Sequence, residues 1–337
     1  MTWVVAMGLL LALAPASAAS AAPAAVNGNV HAAVTWSKFV FANGTAATVL
    51  LARDDDPADA LTSGSIQGVL NAPLLLTNTT KLSPETATEL KRLGAKRVII
   101  LGGTQGVSQP VEAEVKALGL ATERVGGATP VETAVAVAAR FFPNASNAVI
   151  APVSSQGDSF GASTFAAQRN IPILLTETSK LSTATEQYLE GASPQGSKLE
   201  GFVIAGGDAA VSPAVADALA ALEAPGLVGD EKVQVARVSG QNRFATVVEF
   251  DKQLGYADAN AAPRVILLQG QGTTWANGLA SAAQAGKGAA TVLTNGDTLP
   301  AESATFLNGG SKTPLVCGPG VSRPTCDSAG KMLGLTP

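Results

Sequence analysis

One pattern recurs three times in order along this 337-residue chain, and the repetition limits the fold more than any other feature. Its clearest part is an apolar run ending in threonine: Pro73–Thr77, Pro172–Thr176 and Ala290–Thr294. A leucine follows each threonine by five residues, at Leu82, Leu181 and Leu299. Asp59 and Asp158 precede their threonines by 18 residues, and Asn277 precedes Thr294 by 17. A glycine pair comes next, in Gly102-Gly103-Thr-Gln-Gly-Val-Ser108 and Gly206-Gly207-Asp-Ala-Ala-Val-Ser212, with a contracted version at Gly318–Ser322. Arg124-Val-Gly-Gly127 and Arg237-Val-Ser-Gly240 lie 113 residues apart, and each glycine is followed six residues later by a threonine, Thr133 or Thr246. The threonine anchors are 99 and 118 residues apart, so each unit is about 100 residues long.

Within a unit, short continuous apolar runs alternate with segments that carry helix signals. In the first, 47–53, 73–77 and 97–101 read as strands, with a short fourth at Arg124–Val125. Continuous rather than alternating apolar strands belong to a parallel sheet covered on both faces. Asp56-Pro57 is expected to open a helix running to Leu70, with Asp56 at the N-cap and Pro57 at the first helical position. Ser83-Pro84 and Ser108 open two further helices, the second over Pro110–Leu118. The second unit repeats this with strands at 148–153, 172–176 and 202–205, and Ser212-Pro213 opens its third helix. The third has strands at 264–269, 290–294 and 314–317 and is expected to end in a brief tail rather than a full helix. The fold class is therefore α/β: three tandem small parallel-sheet units.

The ordered set formed by Arg-x-x-Gly with its threonine, Asp59-Ala60-Leu61, Pro172–Thr176 and Ile100–Ser108 resembles the cell-wall-binding type 2 repeat family over roughly residues 33–322. The resemblance implies repeats in threes around a pseudo-threefold axis. It also implies noncovalent attachment to an anionic cell-wall glycopolymer on a Gram-positive surface. It divides the chain into repeats 33–123, 124–236 and 237–330, the last truncated. The first repeat has no clear Arg-x-x-Gly start, and Val34-Thr35-Trp36 stands in for it. The third replaces the aspartate by Asn277, which puts three equal ligand sites in doubt.

The N-terminus carries an export signal. Residues 4–14 are an apolar run broken by Pro15 and followed by Ala16-Ser17-Ala18, so 1–22 reads as a signal peptide, although no Lys or Arg precedes the run. Eleven residues are too few to span a bilayer, which needs about 20, and no other segment is long enough. Residues 20–29, with His31 just beyond, read as a flexible lead-in with a solvated histidine. In an exported chain the two cysteines, Cys317 and Cys326, are expected to form a disulfide.

Composition narrows the chemistry. A net charge of −4, from 22 basic and 26 acidic residues, provides no basic excess for nucleic-acid binding. A single histidine and two cysteines cannot build a His-rich or four-Cys zinc site. The glycine turns lack the lysine of a nucleotide loop, so no cofactor is expected. Asp59 reads as a first-turn carboxylate that satisfies helix amides, with polymer contact as the other reading. Asp54-Asp55-Asp56 suggests a hard-cation site, but Ser154–Gln156 and 272–274 do not repeat it, which favours a solvated loop. The glycine pairs Gly102-Gly103 and Gly206-Gly207 read as tight strand-to-helix packing or as anion-facing turns. Arg124 and Arg237 read as ties between modules through carbonyl or carboxylate groups. Asp59, Asp158, Asn277, Thr77, Thr176 and Thr294, with these glycines and arginines, are thus the candidate polymer-binding or repeat-defining residues. A secreted wall hydrolase and a small-solute receptor are the competing functions. Hydrolysis of a glycan needs two carboxylates about one bond, and no acidic pair recurs across the units.

Overall fold

The computed structural model describes residues 28–154, 157–191, 201–222, 233–271, 275–308 and 312–335. Residues 1–22, expected to be a signal peptide, the side chain of Asp158 and residues 272–274 lie outside these.

Among the described residues three separate sheets form, and every strand pairing within them is parallel. The first joins β1 (Thr48–Arg53), β2 (Leu74–Thr77), β3 (Arg97–Leu101) and β4 (Ala121–Val125) in the order β2-β1-β3-β4. The second repeats it with β5 (Asn147–Pro152), β6 (Ile173–Thr176), β7 (Gly201–Ala205) and β8 (Gln234–Val238), ordered β6-β5-β7-β8. The third contains β9 (Val265–Gln269), β10 (Ala290–Thr294) and β11 (Leu315–Cys317), ordered β10-β9-β11. Thr77 stands opposite Arg53, Thr176 opposite Pro152 and Thr294 opposite Gln269. The sequence repeat is thus a repeat of register, and its threonines mark the carboxyl ends of the second strands. Except at their ends, β1, β5 and β9 are buried, as strands covered on both faces must be.

The units interlock rather than stand in a row. Helices α1 (Gly28–Val40), α5 (Pro130–Phe141) and α9 (Arg243–Gln253) pack on β2, β6 and β10 respectively. Each also packs on the central helical segment of the unit before it. The 3₁₀ turn Ala58–Thr62, which leads into α2 (Ser63–Leu70), meets α5, and α6 (Gly157–Arg169) meets α9. The split pair α10 (Ala276–Ala280) and α11 (Ala282–Ala285) follows β9, and α10 meets α1. This pattern closes a ring with pseudo-threefold order, with α2, α6 and α11 mutually packed at its centre. Small residues allow that approach: a Cβ on Gly64 would lie 2.6 Å from the Ser163 Cβ, and one on Gly68 2.6 Å from the Ala167 carbonyl oxygen.

The outer helices are α3 (Pro84–Arg92) and α4 (Gln109–Ala117), α7 (Thr183–Leu189) and α8 (Pro213–Ala220), and α12 (Ala301–Leu307) and α13 (Arg323–Met332). Helix α13 corrects the expected brief tail. It buries Cys326 and Ala329 beside Leu333 and Val321 in one apolar cluster with β9 and β11. Cys317 and Cys326 are joined by a disulfide.

Several local expectations change. Asp56 Oδ1 accepts from the Ala58 amide (2.9 Å), so it caps the 3₁₀ turn and not one long helix. Ser83, Ser108 and Ser212 occupy N-cap positions without side-chain capping bonds. Ser83 Oγ instead accepts from the Asn78 amide (3.1 Å). His31 is not in a lead-in: it lies in α1, with Nδ1 2.8 Å from Glu85 Oε1 of α3. Val34-Thr35-Trp36 falls in mid-helix, with Trp36 buried, so it is not a counterpart of the Arg-x-x-Gly start.

Candidate functional site

In each unit the first strand lies between strands reached in opposite directions, so the carboxyl ends of the first and third strands flank a topological switch point. Such crevices are where open parallel sheets bind ligands. Nearly all the repeat-defining residues gather there.

The threonines are buried scaffolding. Thr77 Oγ1 donates to the Lys81 carbonyl (3.1 Å) and accepts from the Ser83 amide (2.9 Å). Thr176 does the same with Lys180 (3.0 Å) and Ser182 (3.2 Å). Each threonine thereby holds a short polar loop, Asn78–Lys81 or Glu177–Lys180, with its lysine exposed. The Ser108 amide donates to Thr79 O (3.0 Å) and the Ser212 amide to Thr178 O (2.8 Å), which locks each loop to the turn after the third strand. Thr294 behaves differently: its hydroxyl donates to Gln269 Oε1 (3.0 Å), and Thr298 stands where the lysines stand.

The glycine turns have a definite geometry. Gly102 and Gly206 adopt φ of 93° and 95°, a region that disfavours side chains. Their amides donate to Val125 O (3.1 Å) and Val238 O (2.9 Å) in the fourth strands. Arg124 Nη1 donates to Gly102 O (3.0 Å) and Gly103 O (3.1 Å), and its Nη2 pairs with Glu112 of α4 (2.9 Å). Arg237 Nη1 donates to Gly206 O (2.8 Å), and Nη2 lies 3.4 Å from Asp208. These are the expected carbonyl and carboxylate bonds, but they lie within one unit and brace its turn rather than tie modules together. Glu112, bound by Lys116, Arg124 and Thr122, has its carboxyl pulled down to about 2.

Asp59 makes the tie between units. Its Oδ1 accepts from Thr133 Oγ1 of α5 (2.9 Å), across the seam between the first and second units. It is not a cap of its own helix. A Cβ on Gly102 would lie 2.4 Å from Asp59 Oδ2 and one on Gly106 2.9 Å, so these glycines make room for the carboxylate. Burial pushes the Asp59 carboxyl above its usual range, and the Thr133 bond opposes this. The third copy lacks the pair. Helices α1, α5 and α9 bury corresponding sets: Ala32, Ala33, Trp36 and Ser37; Thr133, Ala134, Val137 and Ala138; Thr246, Val247, Phe250 and Asp251. Ala32 therefore stands where Thr133 does, and the buried Asn277 Oδ1 has no partner among the described residues.

The acidic run is engaged locally. Arg53 donates to both Asp55 oxygens (2.6 and 2.9 Å), which lowers the Asp55 carboxyl, while burial raises that of Asp54. Among the described residues no group of three or more acidic, histidine or cysteine side chains is placed to hold a metal ion. Nor, among them, is any helix long and apolar enough to cross a membrane.

The model of cell wall binding domain 2 matches residues 16–112 and 124–216. The chain belongs to that family. Its relatives include the N-acetylmuramoyl-L-alanine amidase LytC of Bacillus subtilis, 29% identical over 268 residues that cover 79% of this chain and 49% of LytC. An uncharacterized protein of Pyrococcus horikoshii, PH0614, is 33% identical over 186 residues, 54% of this chain and 56% of its own length. The chain thus spans about half the length of these relatives. Among solved structures, Cwp8 from Clostridium difficile superposes with a TM-score of 0.77 at 24% identity, over 93% of this chain and 51% of Cwp8. Cwp6 from the same organism gives 0.76 at 22%, over 93% and 48%. These likenesses establish the fold. The family match reaches the first two units, and the sheet register extends the same architecture to the third.

Proposed function

We propose that the mature chain is an exported, noncatalytic anchor that holds an anionic cell-wall glycopolymer at the carboxyl-end rims of its sheets. Membership of the wall-binding family is the observation that carries this reading. The geometry supports it by presenting matching polar loops twice, Asn78–Lys81 and Glu177–Lys180, each fixed by a buried threonine and a glycine turn. With a net charge of −4, attraction to a polyanion must be local. Lys81 and Lys180 are the exposed cations on these loops, whereas Arg124 and Arg237 spend their donors bracing the turns. Two weak rims on one rigid body bind a repetitive polymer more tightly than either alone, by roughly 10²–10⁴-fold where both engage.

Sedimentation with purified walls tests this. Binding is expected to intact walls and to be lost on walls stripped of anionic polymers, with no fall in wall turbidity. Equal binding to stripped walls would refute the polymer assignment, and clearing of the suspension would refute the noncatalytic one. Lys81→Gln with Lys180→Gln is expected to weaken binding at least tenfold without changing the melting temperature.

A further inference from the structure

The buried polar groups at the seams between units are not equivalent, and one has no role in the reading above. Asp251 lies in α9 and is fully buried, 1% exposed. Both of its carboxylate oxygens sit 3.0 Å from one donor, the Thr291 amide at the start of β10. Thr291 also forms the seam with the second unit, because its hydroxyl is 2.9 Å from Thr164 of α6. Beside it Gln168 of α6 donates to Ala289 O (2.7 Å) and accepts from the Tyr256 hydroxyl (2.8 Å). The carboxyl is therefore fixed to the strand residue that joins the second and third units.

No described cation compensates it. On its own helix, Lys252 pairs with Glu249 and Arg243 donates to Gly270 O. From α6, Arg169 donates to Gln253 O. From β8, Arg237 is held by Gly206 O, and from α12, Glu302 accepts from Asn242. Strand β10 contributes no titratable side chain. Tyr256 is a further nearby titratable group, and its hydroxyl donates to Gln168; Arg264, whose carbonyl accepts from the Ala290 amide, is the cation just before β9. The other two units supply internal controls. In the first, the corresponding position is Ser37, whose hydroxyl donates to a buried carboxylate, Glu89, that Arg92 neutralises at 2.6 Å. In the second it is Ala138, fully buried, so the fold does not require a polar group there. An isolated carboxylate is costly in such surroundings, whereas a neutral carboxylic acid is tolerated.

We infer that Asp251 is an acid-dependent latch: as the neutral acid it keeps the seam between the second and third units closed, and as the carboxylate it loosens that seam. Burial holds its carboxyl well above the usual range, against the opposing bond from the Thr291 amide, and this fixes the sign. The folded state keeps a proton that the unfolded chain releases above about pH 4, so the latch's contribution is fully present at acid pH and declines as pH rises through the folded-state value. The inference does not depend on what the rims bind.

Thermal and denaturant unfolding of the full chain between pH 4 and 8 tests it, comparing wild type with Asp251→Asn and Asp251→Ala. Relative to both variants, the wild-type folded-to-unfolded ratio is expected to fall with rising pH, by up to about tenfold per unit until Asp251 ionises. Protection of the Thr291 amide from hydrogen exchange should fall in step, relative to Asp251→Asn. A purely structural role would shift the variant curves without changing their slope, so parallel pH profiles overturn the inference. Should one substitution prevent folding, infrared spectra of the wild type decide the matter. A protonated carboxyl band must persist above the free-carboxyl range and be missing from the variant that folds.

Discussion

At residue scale, the seam contact made by Asp59 and Thr133 shows how a repeat motif can be misread. Asp59 stands in a first turn, and one sequence cannot show that its partner is a hydroxyl 74 residues away. The signal was present as two separate spacings, the aspartate before Thr77 and the threonine after Gly127, and only the ring closure joins them. The third seam has lost both halves together, as Asn277 and Ala32. This predicts coupling. Asn277→Asp alone places an anion in a buried site without a donor and should destabilise the chain by about 2–4 kcal/mol. Ala32→Thr alone adds volume to a packed helix face and should cost about 1–2 kcal/mol. The double variant restores the hydroxyl–carboxylate pair, and its total cost should fall short of the sum by about 1–3 kcal/mol in a denaturant double-mutant cycle. Strict additivity would show that the two sites do not meet. Gln67 was not legible at all. Its Nε2 donates to Leu279 O (2.7 Å) and its Oε1 accepts from the Ala283 amide (3.2 Å), so a side-chain amide occupies a helical rung and separates α10 from α11.

At element scale, strands were easier to read than helix starts. Buried parallel strands need continuous apolar runs, and runs such as Arg97–Leu101 are too short and too rich in β-branched residues for a helix. Helix starts depend on which group the cap finds. Ser83 has the right identity and position, but its hydroxyl serves the Thr77 loop. The helix that ends the third unit is hard to see in the sequence because Arg323–Met332 is rich in polar residues, and its buried stripe of Thr325, Cys326 and Ala329 is narrow. That narrow stripe gives the disulfide work to do. A link nine residues apart restricts the unfolded chain by roughly 2.5–3 kcal/mol on the loop-entropy estimate. Cys317→Ser with Cys326→Ser should therefore lower stability by up to that amount and speed amide exchange in α13, with wall binding largely intact. Thiol titration of the denatured, unreduced protein should find no free thiol. Two reactive thiols, or unchanged exchange in α13, would contradict the assignment.

At the scale of the whole molecule, the ring makes the units mutually dependent. Helix α5 is carried by the chain from the first sheet, through β4, yet covers β6 of the second, and β8 leads in the same way to α9 on β10. A fragment covering residues 126–240 would keep its sheet but lose the neighbours of α6, which packs on α2, α9 and α11. Phe160 and Phe165 would then face water, although in the ring Phe160 fits against Gly278 and Phe165 against Phe250. Exposing a buried aromatic side chain costs about 1.5–3 kcal/mol, and two of them are a large part of the stability of a 100-residue unit. The fragment should consequently unfold at a clearly lower denaturant concentration than the full chain and bind an apolar dye. The full chain, in turn, should unfold in one cooperative transition, because no unit can leave the ring without stripping a helix face from both neighbours. Equal midpoints for fragment and full chain, or three separated transitions, would mean that the seams add little and that the units fold as independent bodies.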